Sequence, residues 1–181
     1  MPKGQVTTIF ARPGRGKTTL GLNFGLKASK DRKRVLFVST EMKTDDLRDR
    51  LLSMSSGVIL NDIRINTERL GSVEFNKLDE AGKDMDGFYI YYQPRLKIFE
   101  FSRIVKAFCK SHKIELVIVD YLQNLEANGF NTVEKLNNIA SEMPKVSKEN
   151  NVHIIALAQS TGRVKSIRSC RRCQISKALV L

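Results

Sequence analysis

The chain has 181 residues, 41% hydrophobic and 28% charged, with a formal net charge of +12. That length and apolar content suit one domain with a real core, and no apolar run approaches the roughly 18 residues that a membrane span needs. Six of the 31 basic residues lie from Arg163 onward with no acid among them, leaving a surplus of six positive charges on the preceding 162 residues. Such a surplus suits a polyanionic partner and is equally ordinary for a solvated surface. The three cysteines are expected to be reduced thiols in a cytoplasmic protein: their number is odd, and the Met-Pro-Lys-Gly start runs straight into a strand with no leader.

The first strand, Val6 to Ala11, ends in a Pro/Gly-rich turn and is followed by a helix-compatible segment. The turn fits a phosphate-binding loop if its first glycine is allowed to be alanine: Ala11, then Arg12-Pro13-Gly14-Arg15, then Gly16-Lys17-Thr18-Thr19. Gly14 and Gly16 let the backbone curl so that amides face phosphate oxygens, and the helix N-terminus adds its positive end. Lys17 would then reach the β- and γ-phosphates and the Thr18 hydroxyl would ligate Mg²⁺. The spacing predicts a helix from Lys17 to Ser29 with Leu20, Phe24 and Ala28 inward, then a buried strand over Val35 to Val38. This β-α-β order belongs to a parallel sheet covered on both faces.

The second strand delivers Ser39-Thr40-Glu41-Met42 to its carboxyl end, where parallel sheets place ligands. Glu41 has two readings: a carboxylate that polarises a water for attack on a γ-phosphate, or an acid in the first turn of the next helix, favoured there electrostatically. That helix is expected over Lys43 to Ser55, with Leu47, Leu51 and Met54 inward. Gly57 to Asp86 is polar and interrupted, reading as short peripheral helices. Phe88 to Tyr92 reads as a strand whose aromatics either stack nucleic-acid bases or, as is far more common, pack in the core and across strands, and Ile98 to His112 as a helix with Phe101, Ile104, Val105 and Phe108 on its apolar face. An apolar strand over Ile114 to Val119 ends at Asp120-Tyr121-Leu122-Gln123. A carboxylate at such a strand end is the second half of a nucleotide-hydrolysing site, holding the Mg²⁺ shell that the loop threonine also touches. Thr132 to Asn150 reads as a helix that Pro144 should kink or break. Val152 to Ala158 is a further buried strand, ending at Gln159-Ser160, and His153 within it is expected to be a satisfied core residue.

Taken together, Ala-Arg-Pro-Gly-Arg-Gly-Lys-Thr-Thr, Ser-Thr-Glu-Met, Val-Ile-Val-Asp-Tyr-Leu-Gln and Ala-Leu-Ala-Gln-Ser occur in an order that resembles the C-terminal ATPase domain of DnaB-type replicative helicases, which are RecA-like ATPases. The resemblance covers about residues 4 to 160. It implies an α/β fold with a mostly parallel sheet and helices on both faces. It makes Lys17 and Thr18 the ligands of phosphate and Mg²⁺, Glu41 the carboxylate that activates water, Asp120 the second magnesium-site acid and Gln159 the γ-phosphate sensor. It also implies ATP as substrate, single-stranded DNA as partner and a ring of six subunits with ATP bound between neighbours.

The departures carry expectations too. Nothing resembling the family's N-terminal helical domain or linker is present, and after Gly162 the basic stretch does not resemble its remaining strands or the arginine that reaches a neighbour's ATP. The expected organisation is therefore a truncated core over residues 1–162 and a disordered basic tail over 163–181, of unrelated origin such as a frameshift. Cys170 and Cys173, with Cys109 and His112, supply four possible zinc ligands, a pairing that nothing else in the chain favours. Three functions follow: an ATP-driven DNA motor; a nucleotide-binding remnant without turnover; and another phosphate-loop ATPase or kinase that does not act on DNA.

Overall fold

The computed structural model describes residues 2–159 and, as backbone, 177–180. Six strands, β1 (Val6–Ala11), β2 (Val35–Ser39), β3 (Phe88–Tyr92), β4 (Leu116–Asp120), β5 (His153–Gln159) and β6 (Lys177–Val180), form one sheet in the order β3-β2-β4-β5-β1-β6. Every neighbouring pair is parallel. The strands are joined through α1 (Lys17–Lys30), α2 (Thr44–Ser56), α3 (Leu60–Arg64), α4 (Ser72–Asp84), α5 (Ile98–His112) and α6 (Thr132–Glu149).

Strand periodicity divides the core in two. Leu36 and Val38, Val117 and Val119, Ile154 and Ala156 face one side, where α5 and α6 bury Phe101, Val105, Ile139, Met143 and Val146 against them. Val35 and Phe37, Leu116 and Ile118, Ile155 and Leu157 face the other, covered by Leu22 and Leu26 of α1 and Leu47 and Leu51 of α2. Near-continuous apolar runs are what a sheet buried on both faces requires, because each face takes alternate residues.

The buried face of α1 is displaced from the expected one. Leu22, Leu26 and Ala28 are buried, whereas Leu20 and Phe24 only flank the core. Two glycines set this rotation: a Cβ on Gly25 would stand 2.5 Å from Cε2 of Phe88, and one on Gly21 would stand 2.8 Å from Cδ1 of Leu157. The line of Gly21 and Gly25 is therefore where the helix backbone comes closest to the sheet, and the leucines beside it are drawn in.

Pro144 does not break α6, which runs from Thr132 to Glu149. Proline in a helix interior costs about 3 kcal/mol, but Ile139 and Met143 before it and Val146 after it are all buried. At about 1.5–3 kcal/mol for each buried side chain, their contacts outweigh the lost backbone bond. Between β2 and β3, α3 and a short 3₁₀ turn (Thr67–Arg69) are peripheral as expected, while α4 is a full 13-residue helix packed on α2. Asp84 at its end pairs with Lys30 of α1 at 2.9 Å and accepts from Ser55 Oγ of α2 at 2.7 Å. These contacts hold its carboxyl below the usual carboxylate range.

Within the stretch expected to be a disordered tail, Lys177–Val180 instead forms β6 alongside β1, in register from Thr7 with Lys177 to Phe10 with Val180. A strand there satisfies the backbone groups that β1 would otherwise present as an open edge. Residues 163–176, with Cys170 and Cys173, lie outside the described residues.

Candidate nucleotide site at the carboxyl ends of the strands

The site grows out of the sheet register. β1 and β2 are not adjacent: β4 and β5 lie between them. Ala11 at the end of β1 stands opposite Gln159 at the end of β5, and Ser39 at the end of β2 stands opposite Asp120 at the end of β4. One row of strand ends thus brings Ala11, Gln159, Asp120 and the Ser39-Thr40-Glu41-Met42 turn to a common edge, with the Arg12–Gly16 loop arching from β1 into α1.

That loop has the conformation its glycines permit. Gly14 and Gly16 have φ of 72° and 75°, the left-handed region in which a side chain is strained, and a Cβ at either position would meet nothing within 4 Å. Gly16 is the N-cap residue and offers no side-chain cap, the first turn contains no acid, and the first intrahelical bond runs from Leu20 N–H to Gly16 C=O at 2.9 Å. The preceding amides of the turn are left to an outside acceptor, and their dipoles favour an anion. Arg12 and Arg15 are exposed at the rim. Lys17 is half-buried, with Nζ 5.7 Å from the centroid of the Tyr121 ring.

Asp120 is the chemically singular residue. It is 1% exposed, and neither carboxylate oxygen has a hydrogen-bond partner among the described residues. Burial pushes its carboxyl up from the ordinary 3.8; the Thr18 side chain, then Lys17 and Arg50, act against that shift, while Glu41 adds to it. Thr18 stands near enough to bear on the carboxyl without completing a bond of ordinary geometry. The residues named from sequence as magnesium ligands, Thr18 and Asp120, are therefore neighbours, and the oxygens they present suit a hard divalent cation. An orphaned buried carboxylate beside a hydroxyl is what such a cation would complete.

Glu41 is exposed and precedes α2, whose first turn instead carries Asp45 and Asp46. The helix-cap reading thus passes to those two acids. The turn holding Glu41 is pinned on both sides: Met42 N–H donates to Ser39 Oγ at 2.9 Å, and Thr40 donates to the Asp120 carbonyl through N–H at 2.8 Å and through Oγ1 at 3.1 Å. Its charge bears on Asp120 across the row of strand ends.

Two residues of the site had no role assigned from sequence. Gln123, in the 3₁₀ turn after β4 (Leu122–Asn124), donates from Nε2 to the Gln159 carbonyl at 2.7 Å and accepts the Gln159 N–H at 3.0 Å through Oε1. Arg50 of α2 lies close enough to favour a charged Asp120, and its Nε is buried without a partner among the described residues. Its position between Leu47 and Leu51, both buried, was the signal that it leans inward.

Packing accounts for the cysteine and histidine candidates outside this edge. Burial raises the Cys109 thiol to about 11, unfavourable for a thiolate ligand, and His112 packs against Tyr89 and Phe108. No group of three or more metal-ligating side chains occurs among the described residues. His153 is a satisfied core histidine: Nδ1 lies 2.9 Å from the Pro2 carbonyl and Nε2 lies 3.1 Å from Thr7 Oγ1.

Comparison with known proteins adds a family and a fold. Residues 1–177 match the family described as DnaB-like helicase C terminal domain. A protein named probable replicative DNA helicase, from Trieres chinensis, is 31% identical over 171 residues, covering 91% of this chain and 37% of its own length. The replicative DNA helicase DnaB of Mycoplasma pneumoniae is 30% identical over 190 residues, covering 93% of this chain and 38% of its own. The chain thus spans little more than a third of the length of these relatives. Among solved structures, a DnaB-like replicative helicase described with its interactions with primase superposes with a TM-score of 0.79 at 23% identity, over 87% of this chain and 39% of that one. A second solved structure, described as an ATPase domain, superposes with a TM-score of 0.78 at 24% identity, over 87% of this chain and 58% of that one. At those identities the likeness establishes the RecA-like fold.

Proposed function

Because the chain belongs to the DnaB-like helicase C-terminal domain family, we propose that it binds Mg²⁺ and ATP at the ends of β1 and β4 and hydrolyses the ATP to drive a helicase along single-stranded DNA. The observation that carries this reading is Asp120, whose two buried oxygens have no partner beside Thr18 and Lys17, at the foot of an uncapped helix. A protein keeps such a costly group where a ligand completes it.

Each residue then has one task. The first-turn amides of α1 and the loop backbone bind phosphate oxygens, and Lys17 leaves the Tyr121 ring for the β- and γ-phosphates. Thr18 Oγ1 and Asp120 would hold Mg²⁺, which would supply positive charge against the charge that develops in phosphoryl transfer. Glu41 orients the attacking water and accepts its proton as the new bond to the γ-phosphorus forms and the bond to the bridging oxygen breaks. Gln159 reports whether the γ-phosphate is present. Positioning and charge supply most of the acceleration in such transfers, and an arginine supplied in trans, to which this sequence shows no match, would add about 10³–10⁵. The proposal accordingly includes a cytoplasmic ring of six subunits with ATP between neighbours.

The test is ATP turnover with and without single-stranded DNA, for the wild type and Glu41→Gln. DNA-stimulated turnover by the wild type, with a loss of about 10²–10⁴ in Glu41→Gln at unchanged ATP affinity, is the expected outcome for removal of a general base. Equal turnover by the two proteins would remove Glu41 from the mechanism.

A further inference from the structure

The sheet contains one repair that the proposed chemistry does not account for. β4 stops at Asp120, opposite Leu157, whereas β5 runs two residues further to Gln159. Both backbone polar groups of a residue in a parallel strand point to the same neighbour, so beyond the end of β4 the N–H and C=O of Gln159 face no strand. The side chain of Gln123 takes the place of the missing peptide, donating Nε2–H to the carbonyl at 2.7 Å and receiving the amide at 3.0 Å. Among side chains in their usual neutral-pH forms, a primary carboxamide is the one that supplies a donor and an acceptor at that spacing.

The clamp joins two places. On one side Gln159 lies against Ala11, where β1 enters the phosphate loop. On the other, Gln123 belongs to the 3₁₀ turn that borders a cavity of about 690 Å³, lined in part by Thr40, Arg95, Asn124 and Lys135. The same turn packs on β5. We propose that Gln123 is the positioning residue of the site: it fixes the backbone of Gln159 so that its side chain meets the nucleotide, and it passes the displacement of Gln159 to the loop that follows β4. This rests on the nucleotide-site reading given above. Gln123 touches no reacting atom and acts only through residue 159.

The experiment compares the full chain with Gln123→Ala, Gln123→Glu, Gln159→Ala and the double alanine variant. Readouts are binding of a fluorescent ATP analogue, the kcat and KM of ATP hydrolysis, and amide hydrogen exchange over residues 121–131 with ADP or a non-hydrolysable ATP analogue. Expected are nucleotide affinity within about threefold of the wild type for the two single Gln123 variants and a fall of tenfold or more in kcat for Gln123→Ala. Gln123→Glu, which keeps the acceptor and loses the donor, should fail equally. Exchange in 121–131 should distinguish the two nucleotides in the wild type and not in the Gln123 variants, and the double variant should be no worse than Gln159→Ala. Nucleotide-dependent exchange that survives in Gln123→Ala, or additive losses in the double variant, overturns the inference while leaving the site intact. A wild type that binds no nucleotide overturns the site and the inference together.

Discussion

Replacing Asp120 by asparagine should make the nucleotide-free protein more stable while disabling its site. The carboxylate is 1% exposed and both oxygens lack partners among the described residues; an unsatisfied buried polar group costs about 1–3 kcal/mol, and more when charged. Lys17 and Arg50 offset part of that cost, but burial dominates, since the carboxyl is raised rather than lowered. A net gain of about 1–2 kcal/mol for Asp120→Asn follows, which at about 2–4 °C per kcal/mol for a chain of this size is a rise of roughly 2–8 °C in Tm. The pH dependence has a definite sign. With a folded-state pKa above 3.8, the native protein binds the proton more readily than the unfolded chain does, so this group's favourable contribution is present below 3.8 and is lost as pH rises through the raised value. Asp120→Asn should remove that slope. The assay is thermal and urea unfolding over a pH series, with and without Mg²⁺ and nucleotide. Ligand at a hundred times its Kd adds about 2.7 kcal/mol to a protein that binds it, and the variant should forfeit most of that gain. A nucleotide-free variant less stable than the wild type, or one that keeps the full Mg²⁺-dependent gain, would refute the reasoning.

Two further substitutions probe the scaffold. Gly25→Ala gains about 1 kcal/mol in helix propensity but places a methyl 2.5 Å from the Phe88 ring, itself stacked on Phe37 at 6.3 Å; overpacking at about 1–3 kcal/mol should leave a lower urea midpoint, and a higher one would show that α1 has room to move. Asn131→Ala removes the N-cap of α6, whose side chain accepts the Glu134 N–H at 2.8 Å while Glu134 accepts the Phe130 N–H at 2.8 Å; a loss of about 1 kcal/mol is expected in equilibrium unfolding, and no change would mean that packing alone fixes the start of the helix.

Most elements were legible in the chain because they announce themselves locally; the full length of α4 and the strand β6 were not. Val35–Val38 and Ile154–Leu157 are apolar runs short enough to be strands, and Gly14-Arg15-Gly16-Lys17-Thr18 declares both a left-handed loop and a helix start. What sequence did not reveal depended on distances across the fold. The inward face of α1 is set by Phe88 and Leu157 meeting Gly25 and Gly21, contacts between residues far apart in the chain. Pro144 looked like a break because its local cost is plain, whereas the burial of Ile139, Met143 and Val146 that overrides it belongs to tertiary structure. In the candidate site, motif spacing alone led to the expectation that Lys17, Thr18 and Asp120 stand close together, as they do. The contact of Gln123 was invisible because its partner is the backbone of Gln159, and main-chain hydrogen bonding leaves no mark on side-chain identity at that position.

The measurement that bears most directly on the site is a titration of a fluorescent ATP analogue into the wild type, Lys17→Ala and Thr18→Ala, in Mg²⁺ and again in chelator. Saturable binding by the wild type that weakens when Mg²⁺ is withdrawn, is lost in Lys17→Ala and no longer depends on Mg²⁺ in Thr18→Ala is the predicted result. Binding that is the same for all three proteins, or indifferent to Mg²⁺ in the wild type, would contradict a nucleotide site at the ends of β1 and β4.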